Sequence, residues 1–123
     1  MPLKFFILFL LLSTPALAAD RLQSENKYQE TWCGARGGVM EYRLNNGMRV
    51  DCLTDEYAVE MDFANKWYES FGQALFYAKA TKRKPAVVLI IENKNDWIYY
   101  GRLKSISKES GLKIWYIEGG ETH

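Results

Sequence analysis

The most restrictive feature of this sequence is the stretch Ala-Val-Val-Leu-Ile-Ile-Glu at residues 86–92. Its unbroken run of apolar side chains is typical of a β-strand buried on both faces, because a half-exposed strand alternates apolar and polar residues. A strand buried in this way needs a layer of packed structure on each side of its sheet. The stretch therefore predicts an α/β fold in which helices cover both faces of the sheet.

Periodicity and turn residues predict the order α-β-β-β-α-β-α-β along the chain. The elements before the apolar strand are a helix from a cap at Ser24 to Ala35, two strands around the turn Asn45-Asn46-Gly47, a strand at 57–63 and a helix that begins at Ala64. After the apolar strand come a helix at 96–110, which Gly111 ends, and a strand at 112–118. The hairpin is antiparallel and the later crossover predicts parallel pairing, so we expect a mixed sheet.

Residues 1–18 predict a secretory signal peptide. One early cation, Lys4, precedes an apolar run, and the small residues around Ala18 suit cleavage after it. Residues 19–123 then form a single exported domain, periplasmic or secreted, without the roughly 20 consecutive apolar residues of a membrane anchor. Loss of Lys4 lowers the Lys and Arg count from 16 to 15, equal to the 15 Asp and Glu. This balance by itself predicts neither nucleic-acid nor membrane binding.

Two cysteines, Cys33 and Cys52, remain in the predicted mature chain. In an oxidising compartment they are candidates for a disulfide bond, and the alternative is that each is a small buried apolar residue. The sole histidine is His123. We therefore expect neither a Cys or Ser nucleophile with a histidine base nor a metal site built from His and Cys.

Acidic residues line the second and third predicted strands. Because side chains alternate along a strand, Glu60 and Asp62 face away from the apolar side chains of Val59 and Met61. If the two strands are neighbours, Asp51 approaches Glu60 across the pair. Close carboxylates repel, and when buried they shift their pKa values or bind a cation. Oxygen ligands suit Mg²⁺ or Mn²⁺. The alternative is that these acids are simply solvated.

The second predicted helix carries a polar stripe formed by Lys66, Glu69, Gln73 and Tyr77, spaced i, i+3, i+7 and i+11. Since this helix begins directly after Asp62, its first turn lies near the acidic strand, and Lys66 is placed to reach the carboxylates. The alternative is an ordinary solvated helix face.

Two further segments have a structural and a functional interpretation. The basic residues at 79–84 form either a polar loop or a surface that binds phosphate groups. The aromatic residues Trp97, Tyr99 and Tyr100 either pack in and around the core or provide a platform on which bases stack.

This pattern resembles the PD-(D/E)xK phosphodiesterase superfamily, which has a restriction-endonuclease-like core of order α-β-β-β-α-β. Residues 25–92 carry the resemblance. Asp51 matches the acid of the second strand and Glu60 that of the third, while Gln73 and Tyr77 match the Gln-x-x-x-Tyr motif of RecB-type nuclease domains. The chain is thus similar to a small exported bacterial member of the superfamily.

One position departs from the superfamily pattern. A lysine is expected two residues after the strand-three acid, and this chain has Asp62 there. The superfamily tolerates a lysine that has moved to the neighbouring helix, for which Lys66 is the candidate.

The resemblance implies an exported phosphodiesterase that depends on Mg²⁺ or Mn²⁺ and acts on nucleic acid. It implies metal ligands at Asp51, Glu60 and, from the first helix, Glu30, together with catalytic or substrate-positioning roles for Lys66, Gln73 and Tyr77. The alternative is a catalytically degenerate nuclease fold that serves as an extracytoplasmic binding or interaction module. The sequence predicts no oligomeric state and does not distinguish DNA from RNA.

Overall fold

The computed structural model describes residues 21–119, so the predicted signal peptide lies outside the described residues. The elements of this range are α1 (Glu25–Ala35), β1 (Val39–Arg43), β2 (Arg49–Leu53), β3 (Tyr57–Phe63), α2 (Trp67–Thr81), β4 (Lys84–Ile91), α3 (Trp97–Ser110) and β5 (Lys113–Glu118). The predicted α/β class is confirmed. The order differs in detail because 3₁₀-helices, Ala64–Lys66 and Lys94–Asp96, lead into α2 and α3. A 3.6-residue apolar period does not reveal such single turns.

The five strands form one mixed sheet in the order β1-β2-β3-β4-β5. Pairing is antiparallel between β1, β2 and β3 and parallel between β3, β4 and β5. Strand β3 pairs with β4 along its whole length, from Tyr57 to Phe63. It pairs with β2 only through Cys52 and Leu53. The first half of β2 is therefore separated from the backbone ladder of β3.

Strand β4 is buried on both faces, as its apolar run predicts. Val88 belongs to an apolar cluster that contains Tyr28 of α1. The neighbouring Val87 belongs to a second cluster, with Ala74 of α2 and Leu103 of α3. Helix α1 thus covers one face of the sheet, and α2 and α3 cover the other.

Local signals determine where the elements begin and turn. The Ser24 hydroxyl accepts a hydrogen bond from the Lys27 N–H at 3.2 Å, which caps the start of α1. Gly47 in the hairpin and Gly111 after α3 have φ values of 88° and 71°, a left-handed conformation that glycine adopts without steric cost. These ends agree with the positions predicted from the sequence.

The aromatic residues at the start of α3 pack against protein rather than stand free. Tyr99 and Tyr100 lie against the cluster beneath α2 and α3. The rings of Trp97, Tyr100 and Tyr116 are 4.9 to 5.7 Å apart and meet edge to face. This arrangement supports the packing interpretation of these residues over a base-stacking platform.

A disulfide bond joins Cys33 of α1 to Cys52 of β2, with their Cα atoms 5.8 Å apart. Both residues are fully buried in the cluster under α1. The disulfide alternative of the sequence analysis is therefore the one observed, and it indicates an oxidising environment. Within residues 21–119, no helix is both long and apolar enough to cross a membrane.

We predict that replacing both cysteines, as in Cys33→Ala/Cys52→Ala, lowers the free energy of unfolding by about 3 kcal/mol. The bond closes a loop over a sequence separation of 19 residues, and its loss restores conformational entropy to the unfolded chain. Urea denaturation of oxidised wild type and of the double variant measures the difference. Equal stabilities, or two free thiols titrated in the denatured wild-type protein, contradict the prediction.

We also predict that Gly38→Ala is destabilising through contact with the disulfide. A Cβ atom at Gly38 lies 2.6 Å from Cys52 Sγ and 2.7 Å from Cys33 Sγ, closer than van der Waals contact allows. We expect a loss of about 1–3 kcal/mol, typical of overpacking. Gly34→Ala is the matched control, because its Cβ meets no atom within 4 Å in α1. The loss at Gly38 should shrink in the cysteine-free background.

Candidate functional site

A polar cleft of about 280 Å³ opens where the start of β2, the end of β3 and the exposed side of α2 meet. Five carboxyl groups line it, and four of them lie on its inner side, on α1, β2 and β3. These four are Glu25 of α1, Asp51 of β2, and Glu60 and Asp62 of β3. The polar stripe of α2 forms one wall through Lys66, Glu69, Gln73 and Tyr77, and Arg49 completes the lining.

Asp51 replaces part of the missing ladder between β2 and β3. Its Oδ2 atom accepts a hydrogen bond from the Met61 N–H at 2.9 Å. On its other side the bridge to Glu41 of β1 is absent, and Glu41 has a φ of 52°. A positive φ is rare for a residue with a Cβ atom, and such strained residues are common near functional sites. Because pairing is interrupted on both sides of Asp51, its side chain can reach the backbone of β3.

Asp51 and Glu60 are a pair of neighbouring carboxyl groups, and the Asp51 N–H donates to Glu60 Oε1 at 3.5 Å. Burial is the largest cause that raises the pKa of Glu60, to about 10, and the charge of Asp51 adds to it. Burial also raises the pKa of Asp51, to about 6, while the hydrogen bonds from Glu60 and Met61 limit that rise. The pair therefore retains a proton at neutral pH.

Glu25 and Asp62 form a second pair of neighbouring carboxyl groups in the cleft. Burial, followed by the charge of Glu25, raises the pKa of Asp62 to about 7. Burial is likewise the largest cause that raises the pKa of Glu25. The buried Ser70 hydroxyl donates to Asp62 Oδ2 at 3.4 Å, which orients the carboxyl group from the α2 side. Two pairs of acids thus share one cleft.

A hydrogen-bond network around Glu92 holds the start of α1 beside the cleft. The Glu92 Oε2 atom accepts from the Leu22 N–H at 3.0 Å and from the Tyr28 hydroxyl at 2.7 Å. The Arg21 side chain donates to Asn65 at 3.0 Å and stacks over the ring of Phe63, the last residue of β3. These contacts link the chain before α1 to the turn before α2. This anchoring brings Glu25 to the end of β3.

Lys66 carries the positive charge at the mouth of the cleft. Its charge lowers the pKa values of Asp62 and Glu25. In the described residues, the ion pairs are Arg21–Glu92 and Lys84–Glu56, so Lys66 is not bonded to any of the four acids. The side chain is exposed at the cleft and free to move toward a bound anion.

Tyr77 forms the inner end of the α2 wall. It is 4% exposed, and burial followed by the charges of Glu60 and Asp51 raises the pKa of its hydroxyl. Gln73, one turn earlier, is exposed at the rim of the same cleft. From Lys66 to the end of α2, the wall therefore runs from an exposed lysine at the mouth to a buried phenol beside the first carboxyl pair.

Five of the six predicted site residues line this one cleft: Asp51, Glu60, Lys66, Gln73 and Tyr77. Glu30 does not line it and is exposed on α1. At about 100° per residue, Glu30 lies roughly 140° around the helix from Glu25. Glu25 is therefore the acid of α1 that lines the cleft. The signal for Glu25 was its spacing, because it shares the i, i+3 and i+4 face of the buried Tyr28 and Gln29.

The donor set suits a hard dication in its chemistry, because all four acidic groups offer oxygen and no His or Cys is present. The acids do not surround a common point. Among residues 21–119, no group of three or more His, Cys, Asp or Glu side chains is arranged to hold a metal ion. Because the acids lie in two pairs, a cation that binds here would displace the protons held by the pairs. The carboxyl groups would then reorient toward the cation.

Comparison of the chain with models of protein families, with curated proteins and with solved structures found no match. The resemblance to the PD-(D/E)xK superfamily thus depends on the motif residues of this chain, and it stays a prediction.

We predict that the metal-free protein loses stability as the pH rises from 5 to 9. The raised pKa values mean that the folded state holds protons that the unfolded chain releases above about pH 4 to 5. This stabilisation is complete below the unfolded pKa and is lost as the pH passes the folded values, about 6 for Asp51, 7 for Asp62 and 10 for Glu60.

Glu60→Gln tests the source of this pH dependence. The neutral amide donates to Asp51 as the protonated acid does, so we expect the variant to match wild type at pH 5. At pH 8 it should be more stable by up to about 4 kcal/mol, roughly 1.4 for each pH unit above 5, since folded wild type has to keep a proton on Glu60 that its unfolded chain has released. Denaturant unfolding in EDTA measures both. Glu69→Gln, an exposed acid of the same cleft, is the control and should follow wild type.

Proposed function

We propose that this protein is an exported phosphodiesterase that hydrolyses nucleic acid with the help of Mg²⁺ or Mn²⁺ bound at the acidic cleft. The observation that carries the proposal is the convergence of four carboxyl groups from α1, β2 and β3 in one cleft, beside a free lysine. Acids that only solubilise a surface stand apart in water, whereas here burial and mutual contact raise their pKa values. The restriction-endonuclease-like core is part of the same proposal.

The proposed metal ligands are the first carboxyl pair together with Glu25, which lines the cleft in place of Glu30, and Asp62, which stands where the motif has lysine. Asp51 and Glu60 would hold the cation, and Asp62 and Glu25 would extend the oxygen set. The chemistry that a dication would supply is the activation of a water and the polarisation of the phosphate. In hydrolysis, the water oxygen adds to phosphorus and releases its proton to solvent, while the bond from phosphorus to the leaving sugar oxygen breaks and that oxygen takes up a proton from solvent.

The remaining residues of the cleft act on the phosphate and the water. Lys66 is exposed at the mouth, so its ammonium group can approach a non-bridging phosphate oxygen as negative charge develops there. Gln73 is at the rim, where its amide can contact the sugar-phosphate backbone. Tyr77 is too buried to meet substrate directly, and its role is to position the first carboxyl pair.

The alternative function is a nuclease fold that binds a partner without hydrolysis. One observation favours it: the acids of residues 21–119 are not arranged around a metal position. Metal binding and hydrolysis together distinguish the alternatives, because a degenerate module has neither.

We predict that Asp51→Asn abolishes both metal binding and cleavage, because it removes a ligand. Lys66→Ala should retain metal affinity and lose activity by about 10²-fold or more, the loss expected for one group that stabilises the transition state. Calorimetric titration with Mn²⁺, beside cleavage of labelled DNA and RNA oligonucleotides, measures both quantities. Lys79→Ala, an exposed lysine near the end of α2, is the control.

Two outcomes contradict parts of this proposal. A wild-type protein that neither binds Mg²⁺ or Mn²⁺ nor cuts any nucleic acid favours the binding module. A fully active Lys66→Ala variant removes the lysine from the mechanism and leaves the metal site in place.

A further inference from the structure

A second concave surface lies beside the acidic cleft, between the β1–β2 hairpin and the end of α2. This basic groove has a volume of about 280 Å³. The side chains that the argument uses are Tyr42, Arg43, Asn45, Leu53, Thr81 and Arg83. Two of them carry positive charge and none carries negative charge. The groove is thus opposite in sign to the cleft that it adjoins.

The two guanidinium groups of the groove are available to a ligand. In the described part of the chain, neither Arg43 nor Arg83 belongs to an ion pair, since those pairs are Arg21–Glu92 and Lys84–Glu56. Two neighbouring cations of the basic segment at 79–84 therefore differ in their surroundings. Lys84 is paired with Glu56 at 2.9 Å, whereas Arg83 faces the groove.

The end of α2 does not repel an anion as a bare helix terminus does. Its last carbonyl groups are occupied: the Thr81 hydroxyl donates to Tyr77 O at 2.7 Å, and the Arg83 N–H donates to Ala78 O at 3.0 Å. The left-handed Lys82 donates its N–H to carbonyls of the same turn. These bonds engage the carbonyl oxygens that form the negative end of the helix dipole.

The groove and the cleft share a wall. Tyr77 lines the cleft and packs in one cluster with Leu53, which lines the groove. Asp51 in the cleft and Leu53 are two residues apart on β2, about 7 Å along the strand. A flexible polyanion can therefore occupy both surfaces at once.

We infer that the basic groove binds a backbone phosphate of a single-stranded nucleic acid, next to the phosphate that enters the acidic cleft. Arg43 and Arg83 supply two guanidinium groups that suit a phosphate, and Asn45 adds a side-chain amide. Tyr42, 41% exposed, offers a ring for an unpaired base. A single strand fits better than a duplex because Glu60 is only 5% exposed, so the backbone has to bend into the cleft.

This inference rests on the proposed function only in calling the bound strand a substrate, because phosphate binding at the groove needs no metal. The test is therefore made in EDTA, where hydrolysis is absent. Fluorescence anisotropy of a labelled single-stranded oligonucleotide, repeated over a range of salt concentrations, gives the Kd and its salt dependence.

Arg43→Gln/Arg83→Gln should raise the Kd about tenfold or more. It should also reduce the slope of log K against log salt by about 0.7, since the two arginines together neutralise one phosphate of the single strand. Lys94→Gln/Lys108→Gln removes the same charge from exposed positions outside the groove and should leave both quantities unchanged. Asn45→Asp leaves both arginines in place, adds one negative charge to the groove and should weaken binding severalfold.

Three results overturn the inference: the groove variant binds as wild type, the two double variants weaken binding equally, or wild type binds anionic phosphatidylglycerol vesicles but no oligonucleotide. Loss of binding in the groove variant alone, in a protein that cuts no nucleic acid with Mg²⁺ or Mn²⁺, supports the groove and contradicts the proposed hydrolysis. Melting temperatures equal to that of wild type show that the variants are folded.

Discussion

Strand β2 is held by a covalent bond on one face and by carboxyl groups on the other, and the rest of the architecture depends on this division. Cys52 is bonded to α1, so this strand is secured beside β3 although the backbone ladder between them is short. At the next residue toward the hairpin the ladder stops, and the Asp51 side chain accepts a hydrogen bond from the Met61 N–H instead. Without the bond to α1, only the short ladder and the Asp51–Met61 hydrogen bond would join β2 to β3. The disulfide thus stabilises the site as well as the fold.

Much of this arrangement follows from residue order. Alternation along β3 places Glu60 and Asp62 opposite the apolar Val59 and Met61, because a strand has two faces and one of them must be buried. The 3.6-residue period likewise places Glu69, Gln73 and Tyr77 on one side of α2. These predictions succeeded because each concerns residues within one regular element, where the backbone geometry fixes the direction of the side chain.

The parts that the sequence did not predict depend on how elements meet. Glu30 and Glu25 are both acids of α1, and only the packing of Tyr28 and the network at Glu92 decides which of them reaches the sheet. Lys66 sits in a 3₁₀ turn whose geometry directs it toward Asp62. The basic groove joins residues of the hairpin to residues after α2, about forty positions apart. Contacts of this kind have no local signature in a single sequence.

The charges around the cleft can be balanced in two ways. If all four inner carboxyl groups were ionised, Lys66 and Arg49 would leave an excess of two negative charges, since Glu69 is exposed to water at the rim. One shared proton in each pair removes this excess, which is the state that the raised pKa values describe. A single dication removes it equally, with release of both protons. A lysine in place of Asp62 would leave three inner acids and three cations, so no charge would need compensation. The substitution of Asp62 for the motif lysine therefore increases the demand of the cleft for a cation and leaves Lys66 free for the phosphate.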